Sequence, residues 1–105
     1  MMDMNEYQDK AYAFAKYKNS LYPFMALGEE AGEVLGKLAK ALRKTGDWRE
    51  ADKEEVKKEL GDVLWQLSAC AMELGFTLED IAVTNINKLS DRQDRGVIVG
   101  EGDNR

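Results

Sequence analysis

Apolar positions recur at helical spacing in four parts of the chain. Tyr7, Ala11 and Phe14 share one face of a segment predicted to run from about Asp3 to Lys18. Leu27, Ala31, Val34, Leu35, Leu38, Ala41 and Leu42 form a stripe along a second segment, Phe24 to Lys44. Val56, Leu60, Val63, Leu67, Cys70 and Leu74 do the same for a third. That segment is predicted to begin at Asp52, an N-cap acid with Glu55 three residues on, and to end at Leu74. Leu78, Ala82, Ile86 and Leu89 mark a fourth, with Thr77 as N-cap and Asp80 at the reciprocal position, ending near Arg92. Pro23, "TGDWREA" and "GFT" supply the breaks, Pro23 restricting Tyr22 to extended geometry. Residues 93–105 form a Gly-rich tail read as extended or mobile. The pattern predicts an all-α fold, an antiparallel four-helix bundle-like protomer in one domain over residues 1–105, without internal repeats.

The polar positions are less ordinary. Short connections make consecutive helices antiparallel. A hairpin of the second and third helices centred near Gly46 then pairs residues whose numbers total about 92. In that register Glu33 faces Glu59 and Glu30 faces Asp62, roughly 20 Å from the turn at about 1.5 Å of rise per residue. Glu30 and Glu59 border the apolar stripes, where a charge loses part of its hydration. Glu59 also stacks on Glu55 at i, i+4 and on Asp62 at i, i+3, each pair costing about 0.2–0.5 kcal/mol. A divalent cation turns that repulsion into ligation. The competing reading is a set of solvated salt bridges, Glu33 with Lys37 and Glu55 with Lys57 or Lys58. An isolated E-x-x-E favours the salt bridges, whereas two acidic pairs meeting across one hairpin favour a metal. Histidine is absent, which removes a ferritin-like di-iron centre and disfavours zinc, leaving Mg²⁺ or Mn²⁺.

Further features refine this picture. Asn85, Lys88 and Arg92 lie in one arc of the fourth helix and offer a donor set for phosphate oxygens; the alternative is a solvated face with an Asp91–Arg95 pair. Gly28, Gly32 and Gly36 flank the stripe of the second helix and are expected to let another backbone approach closely. Trp65, Ala69 and Met72 lie opposite the main stripe of the third helix, a second apolar face expected to be covered by another subunit in a dimer or tetramer. Tyr12, Tyr17, Tyr22, Trp48 and Trp65 are possible stacking surfaces, though such aromatics more often serve a core or an interface. A net charge of −5 disfavours nucleic acid as partner. No apolar run suits a membrane span and no targeting segment is evident, so a cytoplasmic setting is expected. The single cysteine, Cys70, sits in an apolar stretch and reads as a buried thiol.

The combined pattern Glu29-Glu30-x-x-Glu33, then Glu59-x-x-Asp62, resembles the MazG-like all-α nucleoside triphosphate pyrophosphohydrolases. The surrounding "ALGEEAGEVLGKLAKALRK", "KKELGDVLWQL", "NINKLSDR" and "RGVIVGEGDNR" are similar to that family as well. The resemblance implies a Mg²⁺-dependent enzyme that cleaves a (deoxy)nucleoside triphosphate to the monophosphate and pyrophosphate, as in clearance of the nucleotide pool. It implies metal ligation by Glu30, Glu33, Glu59 and Asp62, and contact with phosphate by Asn85, Lys88 and Arg92. Glu29 or Glu33 is the carboxylate expected to orient or deprotonate water, since no histidine can. One position departs from the pattern: Gln66 stands one turn after the motif aspartate, where relatives often carry Tyr. The alternative to an enzyme is a helical interaction module whose acidic clusters are structural.

Overall fold

The computed structural model describes residues 1–96. They form four helices, α1 (Met4–Tyr12), α2 (Tyr22–Thr45), α3 (Glu50–Leu74) and α4 (Leu78–Asp94), with no strand among the described residues. The fold is all-α, and the helix packing is consistent with a bundle. α3 is its centre, touching α1, α2 and α4, whereas α2 packs against α3 alone. The reading of the tail falls largely on residues 97–105, outside the described residues.

The caps explain most boundaries. Asp3 accepts a hydrogen bond from the Glu6 amide at the start of α1 (2.8 Å). Thr77 and Asp80 form the expected reciprocal cap of α4, at 3.0 and 3.1 Å. Gly46 and Gly75 end α2 and α3 in the left-handed region, φ 70° and 80°, which a residue without Cβ adopts at no steric cost. Pro23 lies in the first turn of α2, where its missing N–H is not needed, so the helix already includes Tyr22.

Two boundaries differ from expectation. α3 begins at Glu50, not Asp52, because Asp52 serves as the third helical residue and its carboxylate reaches back to the Arg49 amide at 3.0 Å. The Arg49 guanidinium on that same carboxylate holds Asp52 below the usual carboxylate range. α1 stops at Tyr12, not Lys18. The Trp65 indole donates to the Ala11 carbonyl (3.2 Å), and Phe14 and Ala15 close the end with three-residue hydrogen bonds. The segment that follows packs onto α3, with Tyr17 hydrogen-bonded to Glu73. Tertiary contact there overrides a good helical pattern.

A small core sits where α1, α3 and α4 meet, built from Ala11, Ala69, Cys70, Ala71 and Leu78. The buried Gln8 spans the α3–α4 turn, donating to the Phe76 carbonyl (3.0 Å) and accepting from the Leu78 amide (2.9 Å). The Trp65–Ala69 face expected to await another subunit is therefore covered within the chain, by α1 and the segment after it. Other apolar side chains are bare, among them Leu35, Leu42, Leu60, Val83 and Ile86. The glycine strip also departs from expectation. A Cβ added at Gly28, Gly32 or Gly36 meets no heavy atom of the described residues within 4 Å, so no described backbone approaches it.

Candidate metal centre

The α2–α3 hairpin adopts the register read from its charges. Lys37 lies opposite Glu55, a pair whose numbers total 92, with Nζ 3.9 Å from the carboxylate. One to two turns further from the hairpin loop, Glu30 of α2 meets Glu59 and Asp62 of α3. One carboxylate oxygen from each lies within 4.8 Å of the other two, and all three residues are half-buried. For Mg²⁺ at about 2.1 Å, oxygens across an octahedron stand about 4.2 Å apart. The three acids thus fit a small oxygen-loving cation with slight rotamer adjustment, and hard carboxylates suit Mg²⁺ or Mn²⁺.

The electrostatics agree with an arrangement short of positive charge. Burial first, then Asp62, Glu29, Glu59 and Glu33, push the Glu30 carboxyl above its usual range. No cation pairs with Glu30 or Asp62 among the described residues. Glu59 is the exception, with Lys37 Nζ 3.9 Å from its carboxylate. Lys37 is a group the sequence reading misplaced. It was considered as a partner of Glu33 at i, i+4, yet it turns across the hairpin to Glu55 and Glu59. Glu55 does pair with Lys58, at 3.5 Å, as the salt-bridge reading expected.

The other acids stand further out. Glu29 and Glu33 are exposed on α2 and outside the three-carboxylate group. Of the expected phosphate-contacting residues on α4, Asn85 is exposed, Lys88 half-buried and Arg92 buried. Asn85 and Lys88 line a groove of about 820 Å³ with Phe76, Ile81 and Val83, and none of the four motif acids borders it. Within one protomer α4 does not touch α2. Asp91 and Arg95 do form the expected pair, at 2.9 Å.

On the α1 side, Asp62 opens into a cavity of about 490 Å³ lined also by Tyr7, Lys10, Phe14, Gly61 and Trp65. In the sequence Tyr7 only shares a helix face with Ala11 and Phe14. Burial, with the nearby Asp62 charge second, raises its phenol above the ordinary value. The period of α1 showed which face Tyr7 shares, but not that this face ends beside Asp62.

The family model described as MazG nucleotide pyrophosphohydrolase domain matches residues 19–97. A protein of Mycobacterium phage L5, described as Gene 37 protein, is 44% identical over 85 residues, covering 80% of this chain and 75% of the relative. No solved structure matches.

Proposed function

This chain belongs to the MazG nucleotide pyrophosphohydrolase domain family, and from that premise we propose that it hydrolyses nucleoside triphosphates to the monophosphate and pyrophosphate in a Mg²⁺-dependent reaction. The observation that carries the reading is the meeting of Glu30, Glu59 and Asp62 across the hairpin. These three would hold the cation, with the exposed Glu33 as the fourth ligand that the resemblance implies. When bound, the cation neutralises charge on the α- and β-phosphate oxygens and makes water a stronger nucleophile at neutral pH.

The remaining work falls to the chain's own side chains. Glu29 or Glu33 orients the attacking water and accepts its proton. Asn85, Lys88 and Arg92 steady the departing pyrophosphate as donors. α4 and α2 do not touch within one protomer, so this role accords with an oligomer in which the α4 face of one copy meets the hairpin of another. The bare Leu35, Leu60, Val83 and Ile86 give such a dimer or tetramer apolar surface to bury. No helix among the described residues is long and apolar enough to cross a membrane, and we place the reaction in the cytoplasm, on the nucleotide pool.

A specific observation keeps the rival reading in view. Lys37 neutralises part of Glu59 and Glu55, as a structural cluster in a non-enzymatic helical module would require. A panel of ribo- and deoxynucleoside triphosphates with Mg²⁺ separates the two. We expect pyrophosphate release from at least one, falling about 1,000-fold or more in Asp62→Asn and Glu59→Gln while the helical circular dichroism is retained. Silence across the panel at high protein concentration rejects the enzyme, and full turnover in both variants rejects the acidic site.

A further inference from the structure

A hollow of about 230 Å³ opens where α2 ends and α3 begins, and its walls are mostly basic. Lys37, Lys40 and Lys44, at i, i+3 and i+7, share one face of α2, and Arg49 lines the hollow from the start of α3. Asp52 and Glu55 line it too, so four cations face two acids in a chain whose net charge is −5. Both acids are already engaged. Asp52 accepts from the Arg49 guanidinium at 3.2 Å and from the Arg49 amide at 3.0 Å. Glu55 stands between Lys37 and Lys58, at 3.9 and 3.5 Å. Neither Lys40 nor Lys44 has a carboxylate within 4.0 Å among the described residues.

Compensation of the helix dipole accounts for only part of this charge. Cations favour the last turn of a helix, which covers Arg43 and Lys44. Lys37 and Lys40 stand more than a turn further in. Arg49 sits at the start of α3, the end that disfavours a cation. The hollow is smaller than the roughly 300–1,000 Å³ that encloses an organic ligand, and such pockets are mainly apolar. Its size and charge suit a compact oxyanion.

Lys37 ties the hollow to the acidic cluster. Its Nζ stands 3.9 Å from Glu55 and 3.9 Å from Glu59, beyond hydrogen-bonding distance of both. Charge alone shares this ammonium between the two carboxylates, and its flexible stem lets it turn toward a stronger acceptor.

We propose that the hollow binds a small oxyanion of the phosphate class, and that the bound anion draws Lys37 away from Glu59. Lys40 and Lys44 supply charge-assisted donors. Arg49 has five N–H donors, of which Asp52 engages two, so it can face both groups at once. With Lys37 withdrawn, Glu59 attracts a divalent cation more strongly. Anion and cation then promote each other's binding by the same factor. This coupling rests on the metal reading of Glu30, Glu59 and Asp62; the anion site does not.

Calorimetric titration with sulfate and with inorganic phosphate, in metal-free buffer at low ionic strength, reads the anion site without turnover. We expect one saturable site whose affinity falls about tenfold or more in Lys40→Gln/Lys44→Gln. The melting temperature without anion should hold or rise, since neither lysine is in an ion pair. Lys53→Gln/Lys57→Gln removes the same charge from exposed pairs outside the hollow and should cost less than about twofold. No saturable heat in the parent, or an equal loss in both double variants, overturns the site. Ribose 5-phosphate, competed against sulfate, tells a free anion from a phosphate carried on a larger molecule. Its entry, if lost in Lys40→Gln/Lys44→Gln, supports a phosphate ester as ligand, and its exclusion supports the free ion. Mn²⁺ is then titrated by electron paramagnetic resonance with and without sulfate, which keeps the cation in solution. Sulfate should tighten Mn²⁺ about fivefold. Lys37→Gln should tighten Mn²⁺ by itself and erase the effect of sulfate. A Mn²⁺ affinity that sulfate leaves unmoved overturns the coupling. Failure of Mn²⁺ to bind at all removes the metal reading, while the anion site stands on its own titration.

Discussion

The two halves of α3 live in different surroundings. Its C-terminal half is enclosed: Ser68, Ala69, Cys70 and Ala71 are buried, and the adjoining turn is stitched to α1 by Gln8. Its N-terminal half faces α2, with Tyr7 of α1 near Asp62. There Leu60 remains half exposed, and Glu59 and Asp62 are partly buried beside Glu30. One half is packed within the chain, and the other carries like charges that Lys37 relieves only in part. Stability and chemistry have been separated along one helix, which lets the acidic half hold a repulsive arrangement that would be ruinous in the enclosed one.

The strongest way to break the comparison is at Gln8. Gln8→Ala leaves the Phe76 carbonyl and the Leu78 amide without their side-chain partner. Each unsatisfied buried group costs about 1–3 kcal/mol. With water reaching the turn in part, we expect a loss of about 2–3 kcal/mol, or about 10–20 °C in melting temperature for a chain of this size. Turnover per folded molecule should stay unchanged, because nothing at the acidic end is touched. A loss of activity in the folded protein, or a melting temperature within 2–3 °C of the parent, on the order of 0.5 kcal/mol, would show the two halves to be coupled or the clamp to be weak.

A smaller effect is expected at Glu30, where the sign depends on pH. Its carboxyl is raised above the usual 4.5 by burial and by the neighbouring acids. A group with a raised folded pKa contributes stability that is fully present below its unfolded value and is lost as pH rises through the folded one. Apo wild type and Glu30→Gln should therefore melt together in mild acid, with the variant the more stable toward neutral pH. Mg²⁺ should raise the wild-type melting temperature and leave that of Glu30→Gln almost unmoved. Parallel pH profiles for the two proteins would argue that Glu30 is solvated and carries no strain.

How much of this was legible beforehand follows the range of the forces involved. The helices of the hairpin, the caps at Thr77 and Asp80, and the register that brings Glu30 to Asp62 are local or nearly so, and periodicity with charge spacing reveals them. The end of α1 was not legible, because Trp65 and Glu73 of α3 decide it through the Ala11 carbonyl and the Tyr17 hydroxyl, more than fifty residues away in sequence. Lys37 was misread for a related reason: it has two acidic neighbours across the hairpin and one along its own helix, and only the packed geometry chooses. Of the candidate site, the three central acids were readable. The cavity that joins Asp62 to Tyr7 was not, since it arises from where α1 and its following segment settle on α3.

The smallest effect sharpens the comparison on its open side. Gly32 is exposed in the middle of α2, and a methyl group there meets nothing within 4 Å. Glycine in a helix interior costs about 0.8–1.0 kcal/mol relative to alanine, so Gly32→Ala should stabilise the isolated protomer by roughly that amount. Among the described residues no contact accounts for the three glycines. The measurement is therefore informative at two protein concentrations. A rise in melting temperature at both means that the strip is bare in the assembled protein too. A rise when dilute that becomes a fall when concentrated, with weaker association in sedimentation, means that a second copy lays its backbone along Gly28, Gly32 and Gly36. In that case the close approach lacking within one chain is made between chains, on the flank of the helix that presents Glu30 to the metal.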